Sequence, residues 1–126
     1  MKKILIVEDE EILAGVLKER FEKSGFSAEV VTKGDEVVSA VKKFMPDFVL
    51  LDILLPNKDG IKVLKELKDE PELKKIPVMI ISNLGDESHI EIALFLGAVD
   101  YVVKTEYHID KLVERVSTYL SYAKTA

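Results

Sequence analysis

The sequence predicts an α/β fold in which five parallel strands are covered by helices on both faces, a doubly wound three-layer sandwich. Three observations predict it. Short, nearly continuous apolar runs alternate with longer amphipathic segments five times along the chain. β-α units of this length require parallel strands joined by right-handed crossovers, which place helices on both faces of the sheet. Finally, four of the runs end on polar residues: Glu8-Asp9 after KKILIV, Asp52 after DFVLL, Ser82 after VMII and Lys104 after YVV.

Taken in order, the first strand is Lys3–Val7. A helix follows in which Ile12, Leu13, Val16, Leu17 and Phe21 recur at helical spacing, with Gly25 as its stop. The second strand is Ser27–Val31. Val37, Val38, Val41 and Phe44 mark the second helix, ended at Met45-Pro46 because proline disfavours helical geometry in the residue before it. The third strand is Phe48–Leu51, and Asp59-Gly60 opens a helix carrying Ile61, Leu64 and Leu67, with Lys62, Lys65 and Lys68 on a solvated face. Residues 69–75 (DEPELKK) read as a polar loop. The fourth strand is Val78–Ser82, and Ile90, Ala93, Leu94 and Leu96 lie on the fourth helix, which Gly97 closes. The fifth strand, Tyr101–Val103, leads to a helix bearing Ile109, Leu112, Val113, Val116 and Leu120. Strands 1, 3 and 4 are apolar throughout, as strands buried on both faces are. The expected strand order is the flavodoxin-like 2-1-3-4-5, whose topological switch point lies between strands 1 and 3.

With 126 residues and no linker, repeat or low-complexity tract, the chain reads as one domain over residues 1–126 with no output domain. Apolar residues make up 48% and charged residues 33%, a composition that folds rather than stays disordered. The net charge of −5 offers no basic field for nucleic acid or anionic lipid, so direct contact with either is not expected. Zero cysteines exclude disulfides and thiolate metal sites. Neither a signal peptide nor an apolar stretch of membrane-spanning length is present, and a cytoplasmic setting is expected.

Strand ends along one edge of a parallel sheet stand about 4.8 Å apart, so the terminal groups of strands 1 and 3 come within reach of one ion. Carboxylates crowded in this way need a positive charge among them. All the candidate ligands are oxygens, which favours Mg²⁺, with Mn²⁺ as the alternative, over zinc. A carboxylate surrounded by a metal, an ammonium (Lys104) and a hydroxyl (Ser82) can accept a phosphoryl group, with Asp52 as nucleophile and an acyl phosphate as product.

ILIVEDE, FVLLDILLPNKDG, PVMIIS and GAVDYVVK resemble, in order and spacing, the four motif blocks of the receiver domain of response regulators in two-component signalling. The resemblance runs from Lys2 to the last helix. It implies that Asp52 is the phosphoacceptor, that Asp9 binds Mg²⁺ directly and Glu8 through water, and that Asp52 and the backbone carbonyl of Leu54 complete the ligand set. Lys104 would pair with the phosphoryl oxygens, Ser82 would swing in to bond one of them, and the rotamer of Tyr101 would follow Ser82. The face built from helix 4, strand 5 and helix 5 would change shape as a result. The implied donor is a phosphohistidine on a sensor histidine kinase or phosphotransfer protein. The protein would be a switch with self-phosphorylation and autodephosphorylation as its only chemistry, not an enzyme in its own right.

Two residues depart from the family pattern. Thr105 stands where proline usually follows the lysine, often through a cis peptide; the loop either keeps that peptide, at about 2.5–4 kcal/mol, or turns differently. Asn83 replaces a common alanine, and its amide either narrows access to the phosphoryl group or bonds to it. Leu54 and Leu84 flank the acceptor and are placed to tune entry of water. If Ile90, Ala93 and Leu94 face the sheet, Ile92 and Phe95 project outward with Val99 nearby. That patch forms a homodimer or partner interface, or is scattered surface apolars. His89 and His108 read as surface residues at helix starts.

Three other functions share the topology. A phosphate-blind receiver-shaped module would lack the acceptor, lysine or acidic pair, all present here. A flavodoxin-type cofactor binder needs a hydroxyl- and glycine-rich loop after strand 1, where this chain has Glu8, Asp9, Glu10 and Glu11. An aspartyl phosphatase of one large class needs an acid two residues after the nucleophile, where this chain has Leu54.

Overall fold

The computed structural model describes residues 1–125. Five β-α units run in sequence: β1 (Lys3–Val7), α1 (Glu11–Lys23), β2 (Ser27–Val31), α2 (Val37–Phe44), β3 (Phe48–Leu51), α3 (Gly60–Asp69), β4 (Val78–Ser82), α4 (Glu87–Phe95), β5 (Asp100–Val103) and α5 (Ile109–Thr125). The strands form one parallel sheet in the order β2-β1-β3-β4-β5, as the run pattern predicted. Strand 5 begins at Asp100, one residue before the apolar run that marked it.

Alternation along β1 shows how the two layers of core arise. Ile4 and Ile6 join Leu17, Phe21, Phe48, Leu50 and Val116 on the α1/α5 side. Leu5 and Val7 join Val37, Val41, Leu51, Val63 and Leu67 on the other. Side chains alternate faces along a strand, so a run apolar at every position can be buried on both sides. Each such side chain contributes about 1.5–3 kcal/mol of burial free energy.

Backbone stops fall where the sequence placed them. Gly25 and Gly97 take positive φ of 95° and 108° after α1 and α4. Met45 closes α2 in the left-handed conformation at φ 47°, ψ 63°, immediately before Pro46. The Asp59 side chain caps α3 by accepting from the Ile61 amide at 2.7 Å.

Two packing expectations are corrected. Within α4 only Ala93 is fully buried among Ile90, Ala93 and Leu94; Leu94 is 47% exposed, and Leu96 packs inward instead. The helix is short and apolar nearly all round, so its periodicity did not single out a buried face. Lys68 is not solvated like its neighbours. It is partly buried, and its ammonium donates to the carbonyls of Lys74 and Ile76 at 3.0 and 2.9 Å, clasping the loop after α3. Burial lowers its pKa.

Register fixes the sheet edge that matters. Val7 stands opposite both Val31 and Leu51, and Leu51 opposite Ile80. The Asp52 amide donates to the Val7 carbonyl at 3.1 Å, and the Glu8 amide to Val31 at 3.0 Å. The residues just past β1 and β3 are therefore held side by side, and Ser82, opposite Val103, reaches the same edge from β4.

Candidate functional site

The carboxyl edge gathers the scattered polar residues into one crevice. Carboxylate oxygens of Glu8, Asp9 and Asp52 lie within 4.8 Å of one another. Glu8 and Asp52 are buried and Asp9 is exposed. Lys104, carried in by β5 and the short 3₁₀ turn Lys104–Glu106, places its ammonium 2.8 Å from Asp52 Oδ2 and 2.6 Å from Glu8 Oε1. The contact with Asp52 is a hydrogen bond. That with Glu8 is a close ion pair without hydrogen-bond alignment, so buried Oε1 has no donor of its own among the described residues.

Charge bookkeeping decides what the crevice lacks. Three carboxylates face one partly buried ammonium, an excess of two negative charges when all three are ionised. Burial pushes the Glu8 carboxyl up to about 7, and the Asp52 charge adds to this against the opposing pull of Lys104. For Lys104 burial acts downward, but the hydrogen bond to Asp52 and the contact with Glu8 outweigh it, and its pKa is raised. An all-oxygen donor set with excess negative charge fits a hard divalent cation.

The remaining predicted residues take distinct places. Leu54 turns its side chain to solvent while its amide donates to Asp52 Oδ1 at 3.2 Å, holding that carboxylate from its own loop. Ser82 is fully buried, and its hydroxyl accepts from the Leu84 amide at 3.2 Å. The Tyr101 hydroxyl in turn donates to the Leu84 carbonyl in a short hydrogen bond. Ser82, Leu84 and Tyr101 thus form one chain from the crevice to the α4–β5 surface. Burial raises the Tyr101 pKa. Asn83 is exposed at the rim, with no side-chain partner among the described residues. No cis peptide occurs among the described residues, and the chain turns at Lys104 through the 3₁₀ helix instead. Ile92, Phe95 and Val99 are exposed at 48%, 90% and 38%, joined by Leu94, and lie beyond the crevice. His108 is exposed, whereas His89 is partly buried and pairs with Asp86 at the start of α4.

One contributor, Glu10, was not read from the sequence, and Gly60 was read there only as part of the helix opening. The Glu10 carboxylate reaches the Lys104 ammonium at 3.5 Å, and only its place in the acidic run VEDEE hinted at this. Gly60 packs so tightly that an added Cβ would stand 2.2 Å from the Asp52 carbonyl oxygen and 2.6 Å from Ile53 Cα. Glycine at α3's first position therefore lets the acceptor loop close over that helix.

Comparison with known proteins places the chain in a family. The family model described as response regulator receiver domain matches residues 4–117. The chain belongs to the response regulator receiver domain family. It is 36% identical over 124 residues to the phosphate regulon transcriptional regulatory protein PhoB of Rhizobium meliloti, an alignment covering 98% of this chain and 54% of PhoB. Among solved structures it resembles the signal receiver domain of a signal transduction histidine kinase from Syntrophus aciditrophicus, at 33% identity and TM-score 0.89, covering 100% of this chain and 95% of that one. It also resembles the phosphorylated cyanobacterial phytochrome response regulator RcpA, at 30% identity and TM-score 0.82, over 99% and 96% of the two chains. The chain spans about half or less of the length of the curated relatives it matches, 54%, 42% and 39% for three of them. Among the described residues no helix is long and apolar enough to cross a membrane.

Proposed function

We propose that residues 1–126 work as one phosphorylation-operated receiver in which Asp52 accepts a phosphoryl group from a phosphohistidine of a sensor histidine kinase or phosphotransfer protein. The observation that carries the reading is the Asp52 carboxylate, buried and hydrogen-bonded to Lys104 at 2.8 Å, with Glu8 and Asp9 beside it. Asp9, Asp52, the Leu54 carbonyl and Glu8 would hold a Mg²⁺ or Mn²⁺, which would supply the charge neutralisation that the crowded carboxylates and the arriving phosphoryl group both require.

The chain's own residues do the rest. Asp52 attacks phosphorus, the donor's N–P bond breaks, and an acyl phosphate forms on the carboxylate. Lys104 is already seated against Asp52 and shifts to a phosphoryl oxygen with little reorganisation. Ser82 exchanges the Leu84 amide for a phosphoryl oxygen. That exchange frees Leu84, to which Tyr101 is tethered, and so carries the event to the surface of α4, β5 and α5. There Ile92, Phe95 and Val99 form the contact for a second copy or a downstream protein. Self-phosphorylation by small donors, autodephosphorylation and a cytoplasmic setting belong to the same proposal, and the receiver itself makes no direct nucleic-acid contact.

Incubation with a small phosphodonor and Mg²⁺, followed by ³¹P NMR, tests the acceptor. One acyl-phosphate signal is expected in the wild type and none in Asp52→Asn, while circular dichroism of the variant stays unchanged. A signal of equal size in the variant contradicts the assignment. Phe95→Asp tests the surface: the mass of the phosphorylated protein by light scattering, or its binding to a partner, is expected to fall, and an unchanged value of both removes the proposed contact.

A further inference from the structure

Lys104 has a third acidic neighbour whose role is separate from the cation-binding set. The Glu10 carboxylate lies 3.5 Å from the Lys104 ammonium and is 60% exposed, whereas Glu8 is wholly buried. It does not belong to the group of oxygens able to share one ion, which comprises Glu8, Asp9 and Asp52. Glu10 also starts α1, but its side chain makes no capping hydrogen bond; its backbone serves the helix through its carbonyl to Ala14 at 2.9 Å and its amide to Glu8 Oε2 at 3.2 Å. The carboxylate is therefore spare as far as the fold is concerned. It stands at the solvent side of the ammonium that, on the proposed reading, an incoming phosphoryl group meets.

We propose that Glu10 is a specificity-determining residue that sets the charge met by a phosphodonor at the crevice mouth, disfavouring free polyanionic donors by occupying Lys104 from outside. This rests on the reading of Asp52 as acceptor. Coulomb repulsion scales with the donor's charge and, at an exposed site, is screened by salt. Acetyl phosphate approaches as a dianion and phosphoramidate as a net monoanion. With acetyl phosphate, Asp52 oxygen bonds phosphorus as the P–O bond to the acetyl group breaks, and acetate leaves with the electron pair. With phosphoramidate the P–N bond breaks and ammonia leaves. Both give the same acyl phosphate, so the two donors differ in what they present to Glu10 on approach.

The test measures initial rates of adduct formation by intact mass spectrometry with each donor at saturating Mg²⁺, in wild type, Glu10→Gln and Glu10→Asp. At ionic strength of about 0.02 M, Glu10→Gln is expected to raise the acetyl phosphate rate about threefold and the phosphoramidate rate less than about twofold. At about 0.5 M the gain is expected to disappear. Glu10→Asp keeps the wild-type ratio of the two rates. Because the ratio compares donors on one protein, a general loss of fold or of metal affinity cancels. An unchanged donor ratio in Glu10→Gln at low salt, with both donors still labelling Asp52, overturns the role of Glu10 and leaves the acceptor standing. Failure of the wild type to label with either donor overturns both.

Discussion

Asp9 is the carboxylate of the crevice with no ion-pair or hydrogen-bond partner among the described residues, yet its oxygen lies within 4.8 Å of those of Glu8 and Asp52. Its charge is therefore a liability until a cation arrives. Asp9→Asn is expected to stabilise the metal-free protein by about 0.5–1 kcal/mol and to erase the stabilisation that Mg²⁺ gives the wild type. Urea unfolding in EDTA and in Mg²⁺ measures both; a destabilised metal-free variant would contradict the repulsion argument. Glu8 gives the pH counterpart. Its carboxyl is raised from 4.5 to about 7 in the fold, so the folded protein holds a proton that the unfolded chain releases. The contribution of Glu8 to the stability of the metal-free protein is accordingly greatest below about 4.5 and declines by about 2 kcal/mol as pH rises to about 7. Glu8→Gln should flatten that slope. A metal-free wild type whose stability instead climbs between these values would show that Lys104, not burial, governs Glu8.

At the scale of elements, the acceptor depends on how tightly α3 begins. Gly60 lies so close to the Asp52 carbonyl that Gly60→Ala must move either the helix start or the acceptor loop. A cost of about 3 kcal/mol is expected, together with slowed phosphorylation, both lost only if the loop relaxes freely. Thermal unfolding and labelling rates check this, and a variant as stable as wild type would contradict it. Motif spacing revealed that Gly60 follows the acceptor loop, but not that its Cβ position is filled by backbone, because such a contact is tertiary. The same limit applies to α4. Strands were legible because burial on both faces leaves a continuous apolar run, while a nine-residue helix apolar on most sides gives no phase, and Leu94 was turned the wrong way. The link from Ser82 through Leu84 to Tyr101 was legible in its ends alone. Its middle member acts through backbone N–H and C=O, which every residue possesses. Tyr101→Phe is expected to cost about 1 kcal/mol and leave labelling of Asp52 intact, while uncoupling phosphorylation from the change in mass or partner binding at Phe95. Retained coupling in that variant would show that the message travels by another route.

Over the whole molecule, one sheet divides two apolar layers and leaves a single edge where strands 1, 3, 4 and 5 all deliver polar groups. The meeting of Glu8, Asp9, Asp52 and Lys104 was legible because the topology turns separate strand ends into neighbours. Charge balance inside the crevice was legible only in sign, since the burial of Glu8 and the third contact of Lys104 depend on side-chain placement. On the far side of β5, Asp100 accepts hydrogen bonds from Arg115 and Tyr119, and Arg115 donates to Tyr107 at 2.9 Å. These bonds tie α5 to β5, the strand that carries Tyr101 and leads into Lys104. On the reading proposed above, the excess negative charge of the crevice lets Asp52 take a phosphoryl group only when a divalent cation joins Lys104. Intact mass spectrometry after exposure to phosphoramidate, with the metal-free protein divided between Mg²⁺ and EDTA, tests it most directly. One phosphoryl adduct with Mg²⁺, mapped to Asp52, and almost none in EDTA is the predicted result; equal labelling in both, or an adduct elsewhere, contradicts it.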